Sequence, residues 1–241
     1  MNKQKTIVLI PGWGMKGTIW EPLVERLKAY YEIYYVEWDG IETAADFKQK
    51  ALHLVEEKDF SSFIPIGWSL GALIALEVAF VVPEKIERIV LMSGTSRFIE
   101  GEGYHAGWRR RVVERMKRQL VRNRQQTISS FLNSLVYEEE KVHEIHFVDH
   151  FRCSEEYSLL AGLDYLMSAD VRFALRDIAA PLLLIHGEKD TICPPSASQY
   201  IVEQTNGKAL FKLFPKTGHV PFLTKTDECA QLIHSFVGGK Q

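Results

Sequence analysis

Short apolar runs alternate with amphipathic stretches along most of the chain. Six runs rich in β-branched and aromatic residues predict strands, at residues 6–10, 31–36, 63–66, 86–92, 182–186 and 209–214. Stretches of helical periodicity lie among them, at residues 20–30, 44–58, 70–81, 195–204 and 226–237. Strands that alternate with helices form a mostly parallel sheet covered by helices on both faces. The pattern therefore predicts an α/β fold.

The alternation stops between residues 97 and 180. This segment is charged and helical in pattern, contains no predicted strand, and is too long for an ordinary loop. We therefore expect residues 1–96 and 181–241 to form the core, and residues 97–180 to form an inserted helical cap over the carboxyl edge of the sheet. Pro65 argues against a regular strand at residues 63–66, because proline cannot donate a ladder hydrogen bond.

Composition narrows the classes of partner. The chain has 241 residues, 46% of them hydrophobic, which is enough for one domain with a large core. Its formal net charge of −2 gives no overall attraction to nucleic acid or to a membrane, and we expect a monomer that binds neither. The apolar run before Pro11 is too short for a signal peptide, so a cytoplasmic protein is expected. Cys153, Cys193 and Cys229 are far apart and are expected to be reduced thiols.

A Gly-x-Ser-x-Gly motif occupies residues 67–71, between a predicted strand and a predicted helix. In this setting the motif forms a strained turn that exposes its serine at the edge of the sheet. The two glycines allow the strand and the helix to approach closely, so Ser69 is the candidate nucleophile. The alternative is a tight turn whose serine does no chemistry.

A serine hydroxyl needs a neutral imidazole to take its proton and a carboxylate to stabilise the imidazolium that results. His219 follows the last predicted strand and is the candidate base, and Asp190 follows the preceding strand and is the candidate acid. The chain order Ser, Asp, His is that of α/β-hydrolases. His186 is expected to pack or to bond locally. Glu37 and Asp39 are alternative acids, although a surface or helix-capping role suits them better.

Acyl transfer also requires N–H donors aimed at the oxyanion of the transition state. The Leu70 N–H, directly after the nucleophile, is one candidate. The second is the Trp13 N–H, because Gly12 and Gly14 allow this loop after the first predicted strand to turn an amide into the cleft. A glycine-rich turn that merely precedes a helix is the alternative. This chemistry requires neither a metal nor a cofactor.

Four segments carry a family resemblance when they are taken together. They are GWG after the first strand, GWSLG, GLDYLMSADVRFALRDIAAPLLLIHGEKD and GHVPF. They resemble the pimeloyl-[acyl-carrier protein] methyl ester esterases of biotin synthesis over nearly the whole chain. The resemblance implies an α/β-hydrolase fold and a carboxylesterase that cleaves the methyl ester of a pimeloyl chain carried on phosphopantetheine.

The same resemblance implies roles for individual residues. Ser69, Asp190 and His219 would form the triad, with Trp13 and Leu70 at the oxyanion site. Trp68, which precedes the nucleophile, and Met116, where the family has phenylalanine, are implied residues of an acyl pocket.

The chain departs from the family pattern at two places: Pro11 replaces a usual histidine, and residues 37–42 replace a common segment after the second strand. A broad-specificity short-chain carboxylesterase, an acyl thioesterase and a non-catalytic ligand-binding protein remain alternatives.

Positive charge is concentrated in one predicted helix of the cap. Residues 108–124 contain seven arginines and one lysine against one glutamate, a net charge of +7. Helical spacing places four of these arginines on one face, opposite an apolar stripe of Val113, Met116 and Leu120. The resemblance implies that the arginine face docks an acidic acyl-carrier protein. The alternative is a solvated face balanced by residues 138–140. The four arginines are Arg111, Arg115, Arg118 and Arg122.

His143, His146, His150 and Cys153 share one face of a predicted polar helix of the cap, and this spacing raises the question of metal binding. We expect an ordinary polar helix without a metal.

Overall fold

The computed structural model describes residues 4–140, 145–152 and 156–238 of the chain. Six parallel strands form one sheet in the order β2-β1-β3-β4-β5-β6, which confirms the predicted α/β fold. Strands β1, β3, β4 and β5 are buried almost throughout, as expected where helices cover both faces. The strands are β1 (Lys5–Ile10), β2 (Tyr31–Tyr35), β3 (Ile64–Trp68), β4 (Ile89–Met92), β5 (Leu182–Gly187) and β6 (Ala209–Phe214).

Nine α-helices lie within the described residues, and none of them has the length and apolar composition needed to cross a bilayer. The helices are α1 (Glu21–Leu27), α2 (Ala44–Glu57), α3 (Leu70–Val81), α4 (Arg110–Arg122), α5 (Arg124–Asn133), α6 (Glu156–Ser168), α7 (Pro195–Gln204), α8 (Pro221–Thr224) and α9 (Thr226–Gly238).

Strand β3 forms despite its proline. Pro65 pairs with Val8 of β1, and β3 also pairs with β4, so the strand predicted at residues 63–66 is confirmed, with bounds of Ile64–Trp68. Proline removes one donor from the ladder, and its fixed φ is compatible with an extended chain. The side chains of Ile64 and Ile66 on either side are fully buried, and their burial outweighs one missing hydrogen bond.

Residues 97–180 enter between β4 and β5 and add no strand to the sheet in the part of this segment that the structure describes. They contain α4, α5 and α6, with short 3₁₀ turns between α5 and β5. Helix α4 packs through Val113 and Leu120, and α6 is buried along most of its length. The division into a core and a cap at residues 96/97 and 180/181 stays a prediction.

The junction of β3 and α3 is packed against the end of β1. A Cβ atom on Gly71 would lie 2.1 Å from the carbonyl oxygen of Ile10, and a Cβ atom on Gly67 would lie 2.3 Å from the carbonyl oxygen of Gly71. Only glycine allows backbone to approach backbone so closely. The two glycines of the 67–71 motif therefore set how tightly the strand turns into the helix.

We expect Gly71→Ala to lower the free energy of unfolding by about 3 kcal/mol, because the new methyl group meets backbone atoms that cannot move aside cheaply. Gly40→Ala is the matched control, since a Cβ atom there meets nothing within 4 Å and only the φ of +68° opposes it. That strain costs about 1 kcal/mol. Urea unfolding of both variants measures the difference, and equal losses would contradict the packing argument.

Candidate active site

Ser69 connects β3 to α3 in a strained conformation. Its φ of 56° and ψ of −118° lie in a region that non-glycine residues rarely adopt. The side chain is only 8% exposed and lines a pocket at the carboxyl edge of the sheet. This is the geometry expected of a Gly-x-Ser-x-Gly turn that presents its serine to a ligand.

Asp190 and His219 are in direct contact. Asp190 lies just after β5 and His219 just after β6, and His219 Nδ1 is 2.7 Å from Asp190 Oδ2. Both side chains are buried. The contact orients the imidazole, and because an ionised carboxylate only accepts hydrogen bonds, it requires the proton to be on Nδ1.

The Asp190 carboxylate is surrounded by donors. Its Oδ1 accepts hydrogen bonds from the N–H groups of Ile192 and Cys193, each at 2.9 Å. Its Oδ2 contacts His219, and His186 Nε2 lies 3.0 Å away. Burial raises the pKa of the Asp190 carboxyl, but the adjacent His219 and the hydrogen bonds of His186 and His219 lower it well below its usual value. Asp190 is therefore held as a carboxylate.

The second ring nitrogen of His219, Nε2, is the one that Asp190 does not bind. His219 Nε2 is buried and has no hydrogen-bond partner among the described residues. Trp68, which precedes Ser69, donates from Nε1 to the carbonyl oxygen of His219 at 2.9 Å, so the serine turn and the histidine loop are adjacent. Burial and the adjacent Asp190 raise the pKa of the nearby Cys193 thiol. Because His219 Nε2 has no partner among the described residues, no hydrogen bond joins it to Ser69 in this structure. Catalytic hydrogen bonds of this kind often form only in the complex with substrate.

Residues 135–140 hold the loop that carries His219. The N–H of His219 donates to the carbonyl oxygen of Leu135 at 2.8 Å. The N–H of Gly218 donates to Glu140 Oε2 at 2.7 Å, and Thr224 Oγ1 donates to Glu140 Oε1 at 2.5 Å. Glu140 is buried, and its Oε2 also accepts the N–H of Tyr137 at 2.8 Å. Two consecutive amides of the histidine loop are therefore fixed by the predicted cap segment.

The Trp13 and Leu70 amides are available as donors. Leu70 is the first residue of α3, so its N–H has no partner inside the helix. Neither amide donates to a side chain or to a loop carbonyl in the described part of the chain. The Trp13 ring is anchored by a hydrogen bond from Nε1 to the carbonyl oxygen of Leu159 in α6, at 2.8 Å, and it packs on Phe131 and Phe151.

Glu37 and Asp39 do not contact His219. Both carboxylates pair with the guanidinium of Arg152, which is 7% exposed, and the contact with Glu37 is 2.5 Å long. Arg152 also donates its backbone N–H to the carbonyl oxygen of Gly14, beside Trp13. These two alternative acids therefore take part in holding the loop after β1, and Asp190 is the carboxylate at the histidine.

The pocket beside Ser69 has a volume of about 440 Å³. Half of its apolar lining residues are buried, and most of its polar lining residues, which lie on α4, on α5 or between and just after them apart from Ser69, are exposed. The apolar lining consists of Trp13, Phe98, Trp108, Val112, Val113, Met116, Phe131, Leu163, Leu166 and Ile192. The polar lining beyond Ser69 consists of Gln119, Asn123, Gln126, Thr127, Ser130 and Ser134, so no described lining side chain is charged.

The two residues implied for an acyl pocket, Met116 and Trp68, lie in different surroundings. Met116 lines the pocket. Trp68 is not among the residues that line it, and its assignment to an acyl pocket stays a prediction. Its buried ring packs against His219, Phe222 and Trp20. Successive side chains of an extended strand point to opposite faces, and the indole N–H finds its buried acceptor at His219.

The arginine face of α4 lies open to solvent. Arg111, Arg115, Arg118 and Arg122 are exposed, and none of them pairs with a carboxylate among the described residues. Within residues 138–140, Glu139 pairs with Lys216 at 3.0 Å, and Glu140 is committed to the histidine loop. These two carboxylates do not balance the arginines.

The structure describes two of the four residues considered for metal binding, His146 and His150. His143 and Cys153 lie outside the described residues. His146 precedes a 3₁₀ turn at Phe147–His150, and His150 Nδ1 lies 2.9 Å from Thr18 Oγ1, so residues 145–152 do not form the expected helix. No group of three metal-ligating side chains occurs in the ranges that the structure describes.

Comparison with known proteins agrees with this geometry. The sequence matches the profile of the Alpha/beta hydrolase family over residues 7–232. The chain belongs to this family. Among solved structures, this hydrolase is similar to an esterase (EaEST) from Exiguobacterium antarcticum, with a TM-score of 0.87 at 19% identity over 99% of this chain and 94% of that one. At this identity the likeness supports the fold alone.

Two relatives of this hydrolase are named pimeloyl-[acyl-carrier protein] methyl ester esterase. The relative from Photobacterium profundum is 28% identical, over 96% of this chain and 94% of its own length. The relative from Stenotrophomonas maltophilia is 31% identical, over 97% of this chain and 93% of its own length. The resemblance inferred from the four sequence segments is confirmed.

We expect Glu140→Ala to lower the free energy of unfolding by about 2–4 kcal/mol, because the N–H groups of Gly218 and Tyr137 lose a buried acceptor. Amide hydrogen exchange at Gly218 should accelerate with it. Glu139→Ala is the matched control: it breaks an exposed ion pair, and its effect should stay within about 0.5 kcal/mol. Unchanged exchange at Gly218 in Glu140→Ala would contradict the assigned contact.

Proposed function

We propose that this hydrolase is a serine carboxylesterase that cleaves the methyl ester of a pimeloyl chain carried on acyl-carrier protein in biotin synthesis. The family and the names of the relatives support a carboxylic ester hydrolase. One observation carries the catalytic proposal. His219 is a buried imidazole that is fixed at Nδ1 by Asp190 and has no described partner at Nε2, next to a serine on a strained turn.

In this proposal Ser69 Oγ attacks the ester carbonyl while His219 Nε2 takes the hydroxyl proton. The Trp13 and Leu70 amides donate to the oxyanion of the tetrahedral intermediate. The intermediate collapses, the bond between the carbonyl carbon and the methoxy oxygen breaks, and the imidazolium gives its proton to that oxygen, which leaves as methanol. Water then attacks the acyl-enzyme by the same route and releases the free acid. Asp190 stabilises the imidazolium and does not itself take a proton.

The pocket supports a neutral acyl chain as the substrate. Its volume of about 440 Å³ is within the range of small-molecule sites, about 300–1,000 Å³, and most of its lining residues are apolar. A methyl ester carries no charge and loses little hydration there, whereas the carboxylate product would be buried without a cation among the described lining residues. The difference favours binding of the ester and release of the acid.

The polar side of the pocket and the arginines of α4 support a carrier-bound substrate. An acyl chain that places its ester at Ser69 would leave the pocket past the exposed side chains of Gln119 and Gln126, which offer hydrogen bonds to the amides of a phosphopantetheine arm. Arg111 and Arg115 lie on the same helix as Gln119, and guanidinium groups bind phosphate and carboxylate in a bidentate manner.

The carrier protein as substrate supports a cytoplasmic enzyme. The proposed triad and oxyanion donors all come from one chain, so a monomer suffices for the reaction.

Ser69→Ala tests the catalytic proposal. We expect kcat to fall by about a millionfold on the carrier-bound ester, free pimeloyl methyl ester and a p-nitrophenyl ester, because the triad acts as a unit. A fluorophosphonate should label the wild type and not the variant. Wild type that is neither labelled nor active on any of the three would favour a non-catalytic ligand-binding protein, and faster cleavage of acyl thioesters would favour a thioesterase.

The double variant Arg111→Glu/Arg115→Glu tests carrier docking. We expect KM for the carrier-bound ester to rise by about tenfold or more, because charge-assisted contacts are lost, with no change for the free ester. The matched control is Arg176→Glu/Lys212→Glu, which makes the same change of charge outside α4 and should leave both KM values unchanged. Equal effects on the two substrates would contradict docking at this face.

A further inference from the structure

His186 is a second histidine at the candidate acid. It lies in β5, is fully buried, and is not part of the serine, aspartate and histidine set predicted from the sequence. Its Nε2 is 2.7 Å from the carbonyl oxygen of Cys193 and 3.0 Å from Asp190 Oδ2. The same Oδ2 atom accepts the hydrogen bond of His219 Nδ1. One carboxylate oxygen therefore lies between two imidazoles.

The partners of His186 fix its protonation at Nε2. A carbonyl oxygen and an ionised carboxylate can only accept hydrogen bonds, so the nitrogen between Cys193 and Asp190 must carry a proton. His186 Nδ1 lies 2.7 Å from Ser198 Oγ, which is also 3.2 Å from the carbonyl oxygen of Gly94. The shorter contact favours donation by the Ser198 hydroxyl to Nδ1, which gives a neutral ring with its proton on Nε2.

We propose that His186 is a positioning residue of the triad: its Nε2–H, shared between Cys193 and Asp190, holds the carboxylate with Oδ2 directed at His219. The inference rests on the proposed function, because positioning matters only if His219 is the base. His186 does not touch substrate. It acts on the acid, which in turn orients the imidazole.

The contacts of the loop after β5 show how one ring has this effect. The carbonyl oxygen of Cys193 accepts from His186 Nε2–H, and the N–H of Cys193 donates to Asp190 Oδ1, so the ring and the carboxylate fix the two peptide groups on either side of Cys193 Cα. The N–H of Ile192 donates to Asp190 Oδ1, and the carbonyl oxygen of Ile192 accepts a hydrogen bond from Trp108 Nε1 at 2.7 Å. Loss of His186 would release the loop that closes around the acid.

His186 also offsets the negative charge that His219 senses. Among the described residues, the titratable groups near this cluster include the buried Cys193 thiol, whose pKa is raised by burial, and Glu140, which accepts the N–H of Gly218 directly before His219. Without a donor from His186, Oδ2 would share its charge with His219 alone and would stabilise the imidazolium more strongly. In a variant without this donor, the imidazolium of His219 would keep its proton up to a higher pH than in the wild type. It could not accept the serine proton below that pH.

The wild-type protein gives the first test, without any assay of activity. Imidazole ¹⁵N NMR on protein labelled at histidine should show His186 with its proton on Nε2 at neutral pH, and the resonance is assigned by its loss in His186→Gln. A ring protonated only on Nδ1 would overturn the proposal. This result does not depend on hydrolysis, so it separates a failure of the inference from a failure of the proposed esterase activity.

Kinetics of two variants give the second test. His186→Met removes the donor, and we expect kcat on a p-nitrophenyl ester to fall by about tenfold with little change in KM, while the acid limb of the kcat/KM profile moves to higher pH. His186→Gln can place an amide N–H near the position of Nε2 and should restore much of both. An acid limb that stays in place in folded His186→Met would overturn the proposal, and if this variant does not fold, the NMR result decides.

Thr205→Val is the matched control for buried polarity. Its hydroxyl is buried at the end of α7 and bonds only the carbonyl oxygen of Val202, at 3.1 Å, among the described residues. We expect this variant to lose stability without any change in the pH profile. A shift of the acid limb in Thr205→Val equal to that in His186→Met would show a general effect of destabilisation and would overturn the positioning role.

Discussion

The candidate site depends on one buried carboxylate, that of Asp190. A charge removed from water must be met by hydrogen bonds, or the group becomes neutral. Here the N–H groups of Ile192 and Cys193 donate to Oδ1. His219 Nδ1 lies 2.7 Å and His186 Nε2 lies 3.0 Å from Oδ2. Each of these donors requires a particular position of the chain: a tight loop after β5, the loop after β6 beside it, and a histidine inside β5. The ends of two neighbouring parallel strands supply all of them because they meet at one edge of the sheet.

The segment between β4 and β5 is part of the support of this site as well as its roof. Leu135 and Glu140 hold the loop of His219, while Leu159 and Arg152 hold the loop of Trp13. Both loops follow strands of the sheet, yet these hydrogen bonds connect them to the segment between β4 and β5. A lid that swung as one body would break these contacts together.

The sequence predicted the sheet and the candidate acid and base well, because both rest on strong local patterns. The six strands lie within three residues of their predicted bounds, and Asp190 and His219 meet as their places after β5 and β6 indicate. What the sequence could not predict depends on partners far away in the chain. Trp68 donates a hydrogen bond from its indole to the carbonyl oxygen of His219, and the buried Glu140 accepts one from the N–H of Gly218, 78 residues later in the chain. Neither contact leaves a periodic signal, and Glu140 stands in an acidic run that is typical of a solvated surface.

Polarity changes along the path from the surface to Ser69, and this order bears on selectivity. The arginines of α4 are exposed and pair with no carboxylate in the part of the chain that the structure describes. The polar lining of the pocket carries amides and hydroxyls, and the larger part of the lining around Ser69 is apolar. A substrate matched to all three regions must be anionic at one end, polar and uncharged in its middle, and apolar where it is cleaved. A free short ester matches only the last region. Under the proposed mechanism the same three catalytic residues would serve many esters, so discrimination between esters would fall to α4 and α5, which line the pocket and lie where the positive charge of this chain is concentrated.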